Sequence, residues 1–260
     1  MYKRAVQIHH IYIGYRQRGE APRTVCADID TTLAEGQLVC LIGPNGTGKS
    51  TLMRTLSAFQ PPLQGSISIG GHDLAALRPQ QLARLVSVVL TARVQVANIS
   101  VRDLVGIGRS PYTNFWGTLS RDDAQVVADS MQHAGISHLA DRMLHTLSDG
   151  ERQKAMIAKA LAQHTPYILL DEPTAFLDYP SKVDTLQMLR RLSHEQGKAI
   201  LLSTHDVELA LQLADRLWLM MDGHLWEGTP QELAQGGQLN TFLDGRGIRF
   251  DTQHMQIHVT

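Results

Sequence analysis

The sequence predicts an α/β protein: a mainly parallel sheet into which a block of helices is inserted. Short apolar runs, typical of strands buried on both faces, recur along the chain. They are LVCLI at 38–42, VSVVL at 86–90, YILLD at 167–171 and AILLS at 199–203. Helical patterns separate several of these runs, and strands that alternate with helices favour parallel pairing. Between about residues 92 and 163 helix signals replace the strand pattern, which indicates an inserted helical subdomain.

Local sequence patterns predict the secondary structure of the first third of the chain. Further strands are predicted where apolar and polar residues alternate, at 6–13, 24–33 and 66–69. After LVCLI, the segment KSTLMRTLSAF predicts a helix that places Leu52, Leu56 and Phe59 on one face and ends before Pro61.

Capping signals mark the later helices. The predicted starts are Ser100 with Asp103, Ser120 with Asp123, and Thr229 with Glu232, and the predicted ends are Gly135 and Gly197. A further helix is predicted from Asp206. RLWLM and HLWEG, on either side of Asp222-Gly223, predict a strand pair. We predict one domain over residues 1–235, followed by a tail over 236–260 to which the pattern assigns no role.

Composition limits the classes of protein. The chain has 260 residues, 43% of them hydrophobic, enough for one large core or for one core with a small annex. With a formal net charge of −1, nucleic acid is not an expected partner. Cys26 and Cys40 favour buried free thiols. The N-terminus is unlike a signal peptide, and no apolar run approaches the roughly 18 residues that span a bilayer. We therefore expect a soluble intracellular chain whose membrane role would come from a partner.

GPNGTGKST, directly after the first apolar run, predicts a phosphate-binding loop. It matches G-x-x-x-x-G-K-[ST] between a strand and a helix. Glycines let backbone N–H groups turn toward phosphates, while the lysine reaches the terminal ones and the serine hydroxyl suits Mg²⁺. The alternative is a glycine-rich turn with a solvated lysine. The candidate nucleotide-binding residues are Gly43, Pro44, Asn45, Gly46, Thr47, Gly48, Lys49, Ser50 and Thr51.

Three further residues follow parallel strands at the same predicted sheet edge. Asp171 ends YILLD and is placed to meet the Mg²⁺ of the phosphate loop. Glu172, the next residue, is a candidate base that polarises a water for attack on the γ-phosphate. His205, after AILLS, is a candidate to hold that water and sense the γ-phosphate. The alternatives are an acidic turn before Pro173 and a structural histidine.

TLSDGERQKAMIAKALAQ at 146–163, together with GPNGTGKST, ILLDEP, AFLD and STHD in that order, resembles the ATP-binding subunits of ABC transporters over about residues 1–235. The resemblance implies a P-loop NTPase with a RecA-like parallel core and N-terminal antiparallel strands. It also implies ATP and Mg²⁺ as ligands, and a homodimer in which the phosphate loop of one copy and the signature segment of its twin enclose ATP. It assigns Ser148 and Gly150 to that signature, Asp178 to a turn that communicates between the two sites, and Tyr15 to stacking on adenine. Tyr15 could instead be an ordinary strand-end tyrosine.

Two positions depart from the family pattern. The signature reads LSDGE where the family has L-S-G-G-Q, so Asp149 and Glu151 bring two carboxylates toward a partner's phosphate. We expect them to slow or gate closure unless the helix dipole and Arg152 or Lys154 offset them. After VSVVL, where the family usually has a glutamine that contacts Mg²⁺ and water, this chain has Thr91. Three functional interpretations remain open: Thr91 acts through a bridging water, Gln95 replaces the usual glutamine, or coupling to the transport partner differs. Thr91 could also be an ordinary threonine at the end of a strand.

ISVRDLVGIGRSPYTNFWGTLS at 99–120 and ADR at 140–142 look like the helical segment of importer ATPases for ferric siderophores, haem and vitamin B12. This implies two membrane-spanning permease subunits, indirectly a solute-binding protein, and a position on the inner face of the cell membrane. Exposed aromatics often mark partner surfaces, which favours a docking role for Tyr112, Phe115 and Trp116, although these three could pack on their own domain. The rival interpretations are an ABC-type ATPase without a transport partner and, more distantly, a P-loop kinase. His254 and His258 could together bind a metal, but the sequence offers no third ligand, which favours two solvated histidines.

Overall fold

The computed structural model describes residues 5–16, 19, 21–90, 98–114, 116–245 and 247–259. The strands are β1 (Ala5–Tyr15), β2 (Arg23–Ala34), β3 (Leu38–Ile42), β4 (Gln64–Ile69), β5 (His72–Asp73), β6 (Val86–Val89), β7 (Tyr167–Leu170), β8 (Ala199–Ser203), β9 (Arg216–Met221), β10 (His224–Gly228), β11 (Ile248–Asp251) and β12 (Gln256–Val259). The α-helices are α1 (Lys49–Leu56), α2 (Pro79–Leu82), α3 (Val101–Ile107), α4 (Arg121–His133), α5 (Asp149–Ala162), α6 (Tyr179–Gln196), α7 (Val207–Leu213), α8 (Pro230–Gln235) and α9 (Gln238–Leu243).

The central sheet has the strand order β10-β9-β3-β8-β7-β6. All its neighbouring strands are parallel except β9 and β10, which pair antiparallel. A second sheet, β2-β1-β4-β5, is antiparallel. The α/β class, the parallel core and the antiparallel N-terminal strands are thus confirmed.

Each face of the central sheet is covered by its own hydrophobic core. In β3 all five residues are buried, and they alternate between the two cores because successive side chains of a strand point to opposite faces. Leu38, Cys40 and Ile42 pack in the core that includes helices α3 to α9. Val39 and Leu41 pack in the other core, with the antiparallel sheet and α1. The strand that leads into the glycine-rich segment is therefore anchored on both sides.

The predicted length of the first helix is wrong. α1 ends at Leu56, because Ala58 adopts a left-handed φ of 57° and turns the chain out of the helix. Leu52 and Leu56 are buried as expected, but Phe59 lies beyond the helix and 62% of it is exposed.

The helices α3, α4 and α5 come between β6 and β7 in the chain. A buried ion pair connects them: Arg109 Nε donates to Asp123 Oδ1 at 2.8 Å, and Arg109 Nη1 donates to the Ala162 carbonyl at 2.9 Å. Ser120 caps α4 and Gly135 follows its end, as the sequence predicts. The domain limits at 92–163 and 235 stay predictions.

The last 25 residues carry structure that the sequence pattern did not reveal. They contain α9 and the antiparallel hairpin β11–β12. Leu239 and Phe250 are buried and belong to the core on the helical side of the sheet. The tail is therefore attached to the central fold through apolar packing.

Candidate active site

The glycine-rich segment joins β3 to α1, and two of its glycines are required by geometry. Gly43 has a φ of 144°, and Gly48, the N-cap of α1, has a φ of 104°. A Cβ at Gly43 would overlap the carbonyl oxygen of Met220, and one at Gly48 would lie 2.6 Å from Cγ1 of Val25. Only glycine accepts both the conformation and the close approach. The segment thus leads into a helix N-terminus, whose free N–H groups favour an anion.

Lys49, the first residue of α1, lies over this segment. Its ammonium donates to the carbonyl oxygens of Gly43 at 2.7 Å and Pro44 at 2.9 Å, and only 6% of the residue is exposed. Burial lowers the pKa of Lys49, and the negative charges of Glu172 and Asp171 oppose that shift. The predicted lysine and the two predicted carboxylates therefore lie within electrostatic reach of one another.

The candidate base and the candidate histidine are in direct contact. His205 Nε2 lies 2.7 Å from Glu172 Oε1, a hydrogen bond in which the carboxylate is the acceptor. The two side chains are 49% and 27% exposed, so water reaches both groups. Glu172 has a left-handed φ of 50°, which is uncommon for a residue with a side chain. This edge of the sheet can therefore hold a water beside a carboxylate.

Ser203, at the end of β8, connects the two carboxylate-bearing residues. Its hydroxyl donates to Asp171 Oδ1 at 2.7 Å and accepts from the Glu172 N–H at 2.9 Å. Sequence reasoning missed this residue, although it directly precedes the THD that contains His205. A register count would have found it, because β7 and β8 are parallel with Leu170 opposite Leu202.

The residues present fit a magnesium ion bound together with a nucleotide. No group of three or more His, Cys, Asp or Glu side chains in the described part of the chain could hold a metal. Mg²⁺ commonly takes one or two protein ligands and completes its shell with phosphates and water. The hydroxyl of Ser50, exposed in the first turn of α1, and the carboxylate of Asp171 are of the types that such a site uses. Thr91 and Gln95 lie outside the described residues.

Tyr15 contacts the phosphate loop through its hydroxyl, which lies 2.8 Å from Thr51 Oγ1. The tyrosine ends β1, and 47% of it is exposed. An aromatic ring therefore lies beside the first turn of α1 and is accessible to a planar ligand. Stacking on adenine stays a prediction.

The signature segment opens α5 with a capping box. Ser148 Oγ accepts from the Glu151 N–H at 3.2 Å, and Glu151 Oε2 accepts from the Ser148 N–H at 2.9 Å. The Glu151 carboxylate accepts from the Ser148 N–H and, at 3.1 Å, from the Ser148 hydroxyl, and these two bonds, the N–H first, lower the pKa of Glu151. Each carboxylate also has an arginine close by: Arg152 lies 3.3 Å from Asp149, and Arg142 lies 3.8 Å from Glu151. Sequence reasoning had considered Arg152 but missed Arg142.

Gly150 and Asp178 lie in neighbouring turns. A Cβ at Gly150 would be in ordinary contact, 3.7 Å from side-chain atoms of Leu177 and Ser181, so the chain itself does not demand glycine here. Asp178 caps α6 by accepting from the Ser181 N–H at 3.1 Å, and the hydrogen bonds from Ser181 lower the pKa of Asp178. The fold thus brings the predicted residues together in two groups, one at the phosphate loop and one at the start of α5.

A parallel sheet that delivers a glycine-rich phosphate loop, a lysine and two carboxylates to one edge defines a P-loop nucleotide-binding protein. The sequence model described as ABC transporter matches residues 26–175. The chain is 41% identical to an uncharacterized ABC transporter ATP-binding protein of Methanocaldococcus jannaschii, over 87% of this chain and 78% of that protein. It is 35% identical to the ferric enterobactin transport ATP-binding protein of Escherichia coli, over 83% and 80%.

Solved structures agree with the fold. A metal-chelate type ABC transporter in an inward-facing conformation superposes with a TM-score of 0.78 at 25% identity, over 92% of this chain and 88% of that one. A dimeric ABC transporter cassette superposes with a TM-score of 0.75 at 23% identity, over 86% and 98%. The chain belongs to the ABC transporter family, as an ATP-binding subunit that hydrolyses ATP. Among the described residues, no helix has the length and apolar content that a bilayer crossing requires.

Proposed function

We propose that this ATPase powers an importer for an iron chelate, haem or cobalamin, by closing as a homodimer on ATP and reopening after hydrolysis. The observation that carries the hydrolytic part is the contact of 2.7 Å between His205 and Glu172 at the edge that bears the phosphate loop. The import part is supported by the names of relatives. Besides the enterobactin protein, they include the iron(3+)-hydroxamate import protein of Bacillus subtilis, at 32% identity, and a cobalamin import protein of Halobacterium salinarum, at 34%.

Each side chain of the first group has a role in this proposal. The phosphate loop and Lys49 bind the ATP phosphates, and Ser50 and Asp171 hold Mg²⁺, with Thr91 as a further candidate ligand. The metal would offset negative charge on the phosphates. Glu172 accepts a proton from the attacking water, which His205 helps to hold.

The signature segment would complete the site of a second copy. A helix N-terminus favours an anion, and Ser148 with Gly150 stands at the N-terminus of α5. Gly150 has room for a Cβ within its own chain. A need for glycine at this position would therefore arise from a close approach by the partner's nucleotide. Asp178, in the turn next to Gly150, would relay that approach between the two sites. Two composite sites imply a two-fold dimer.

The double variant Asp149→Gly with Glu151→Gln is expected to hydrolyse ATP faster, by about two- to fivefold, the range of a partly exposed charge interaction. Both carboxylates would face a partner's phosphates, and Arg152 and Arg142 offset them only in part. Glutamine preserves the capping box, and unfolding temperatures should confirm that α5 remains intact. Steady-state phosphate release measures the effect. An unchanged rate would reject the hypothesis that Asp149 and Glu151 slow closure.

An apolar groove of about 790 Å³ offers a place for the permease. Its lining includes Phe59, Pro61, Leu77, Leu82 and Val88. An amphipathic helix lays its apolar face into such a groove, and a cytoplasmic helix of a membrane subunit is the occupant that we propose. The segment 99–120, with Trp116 84% exposed, would add to the same partner surface. The chain would then lie in the cytoplasm against the inner face of the membrane, with a solute-binding protein across it.

Co-expression with membrane-spanning subunits whose genes flank the gene for this protein tests the proposal. The parent chain should co-purify with them, and Phe59→Glu should reduce recovery of the complex at least tenfold, because a charge would be buried in the groove. Val259→Glu, a change at a residue that is 89% exposed, is the control and should bind normally. If no membrane subunit is adjacent or co-purifies, an ABC-type ATPase for assembly or repair becomes the better assignment.

A further inference from the structure

We infer that Ser203 is a positioning residue for hydrolysis, which fixes the backbone of Glu172 and the carboxylate of Asp171 through one hydroxyl. The inference rests on the proposed roles of Glu172 as base and Asp171 as metal ligand. It adds a residue that touches neither the nucleotide nor the water and acts through those two neighbours.

The parallel register places Ser203 where it can reach both residues. β7 and β8 pair with Leu170 opposite Leu202, so that Asp171 and Ser203 follow as the next pair. Ser203 is fully buried, and a buried hydroxyl needs partners. It uses its one proton for Asp171 Oδ1 at 2.7 Å and a lone pair for the Glu172 N–H at 2.9 Å.

The bond to the Glu172 N–H restrains an uncommon backbone conformation. Glu172 has a φ of 50° and precedes Pro173, which restricts its backbone further. Such conformations persist where surrounding contacts hold them, and they cluster at active sites. Ser203 holds the main chain of Glu172, and His205, two residues further on, contacts its carboxylate at 2.7 Å. The end of β8 thus fixes the base at two points.

Removing the Ser203 hydroxyl would break the hydrogen bond that holds the main chain of Glu172. The Glu172 N–H would lose its acceptor, and the backbone could leave the left-handed region, which would shift the carboxylate relative to the attacking water. A displacement of about 1 Å in a catalytic group costs on the order of 100-fold in rate. The phosphate loop would be untouched. The loss should therefore fall on kcat, while KM changes little.

Ser203→Ala, measured in the full-length chain, is expected to lower kcat roughly 10- to 100-fold with KM within about twofold of the parent. Ser203→Thr keeps the hydroxyl and should retain most of the rate. Ser87→Ala is the matched control: Ser87 is another fully buried serine of the same sheet, hydrogen-bonded to Thr165 rather than to Asp171 and Glu172. A Ser203→Ala rate equal to that of Ser87→Ala would overturn the inference.

Two further readouts decide the case even where the threonine variant is destabilised by its extra methyl group. Hydrogen exchange in the peptide 168–176 should accelerate in Ser203→Ala and not in Ser87→Ala; equal exchange would refute the contact. In the Glu172→Gln background, adding Ser203→Ala should cost less than it does in the parent, because the part that acts through the base is already lost and only the part that acts through Asp171 remains. A full additional loss would show that Ser203 does not act through Glu172.

The same variants separate this inference from the proposed function. If Glu172→Gln is slow while Ser203→Ala matches the parent, only the role of Ser203 fails. If Glu172→Gln itself hydrolyses ATP at the parental rate, the assignment of the base fails, and the inference falls with it.

Discussion

Glu172→Gln is expected to slow ATP hydrolysis by about 100- to 10,000-fold, the usual contribution of a general base, while ATP still binds. The amide keeps the shape of the side chain and can still bond to His205, but it cannot accept a proton from water. The phosphate loop and Lys49 are unchanged, so the affinity for a fluorescent ATP analogue should stay within about threefold of the parent. Because hydrolysis would no longer reopen the dimer, the variant should accumulate in the closed state.

Single-turnover release of phosphate from labelled ATP measures this effect. Glu195→Gln is the control: Glu195 is exposed near the end of α6, so the change removes one carboxylate distant from Asp171 and Glu172, and the variant should match the parent. Equal rates for Glu172→Gln and Glu195→Gln would reject Glu172 as the base and leave the strained backbone at this position unexplained.

Lys49→Ala is expected to weaken ATP binding at least tenfold and to abolish measurable hydrolysis. The lysine ammonium, now bonded to the carbonyls of Gly43 and Pro44, is the cation placed to transfer to the terminal phosphates. A charge-assisted hydrogen bond in a buried setting contributes about 1.5–3 kcal/mol, which corresponds to roughly 10- to 150-fold in affinity. Transport by the assembled complex should stop as well.

Arg54→Ala is the matched control for this variant, because Arg54 lies in the same helix α1 but is exposed. Equilibrium binding of a fluorescent ATP analogue, followed by phosphate release, compares the two. Near-parental binding by Lys49→Ala would contradict the assigned role of the phosphate loop. Weak binding by both variants would instead indicate general damage to α1.

Local patterns sufficed to predict the strands that carry the site. LVCLI, YILLD and AILLS are short, continuously apolar and followed by polar groups, and each is a buried parallel strand. The contact between His205 and Glu172 follows from that arrangement, because parallel strands bring their carboxyl ends to one edge. The caps at Ser120, Ser148 and Thr229 were equally predictable, since the capping box is a local signal.

What the pattern missed depends on contacts distant in sequence or on a single backbone turn. Phe59 fits the helical periodicity, but the left-handed Ala58 removes it from the helix. Leu239 and Phe250 sit in a segment punctuated by glycines, and only tertiary packing shows that they are buried. Ser203 carries no chemical signal of its own; its role emerges when the register of β7 and β8 is known.

The most direct test of the central claim is a crystal structure of Glu172→Gln grown with ATP and magnesium. The account predicts two copies related by a two-fold axis, with the Ser148 hydroxyl of each within hydrogen-bonding distance of the triphosphate that Lys49 of the other copy binds. Single copies, or dimers in which Ser148 lies far from any triphosphate, would contradict it.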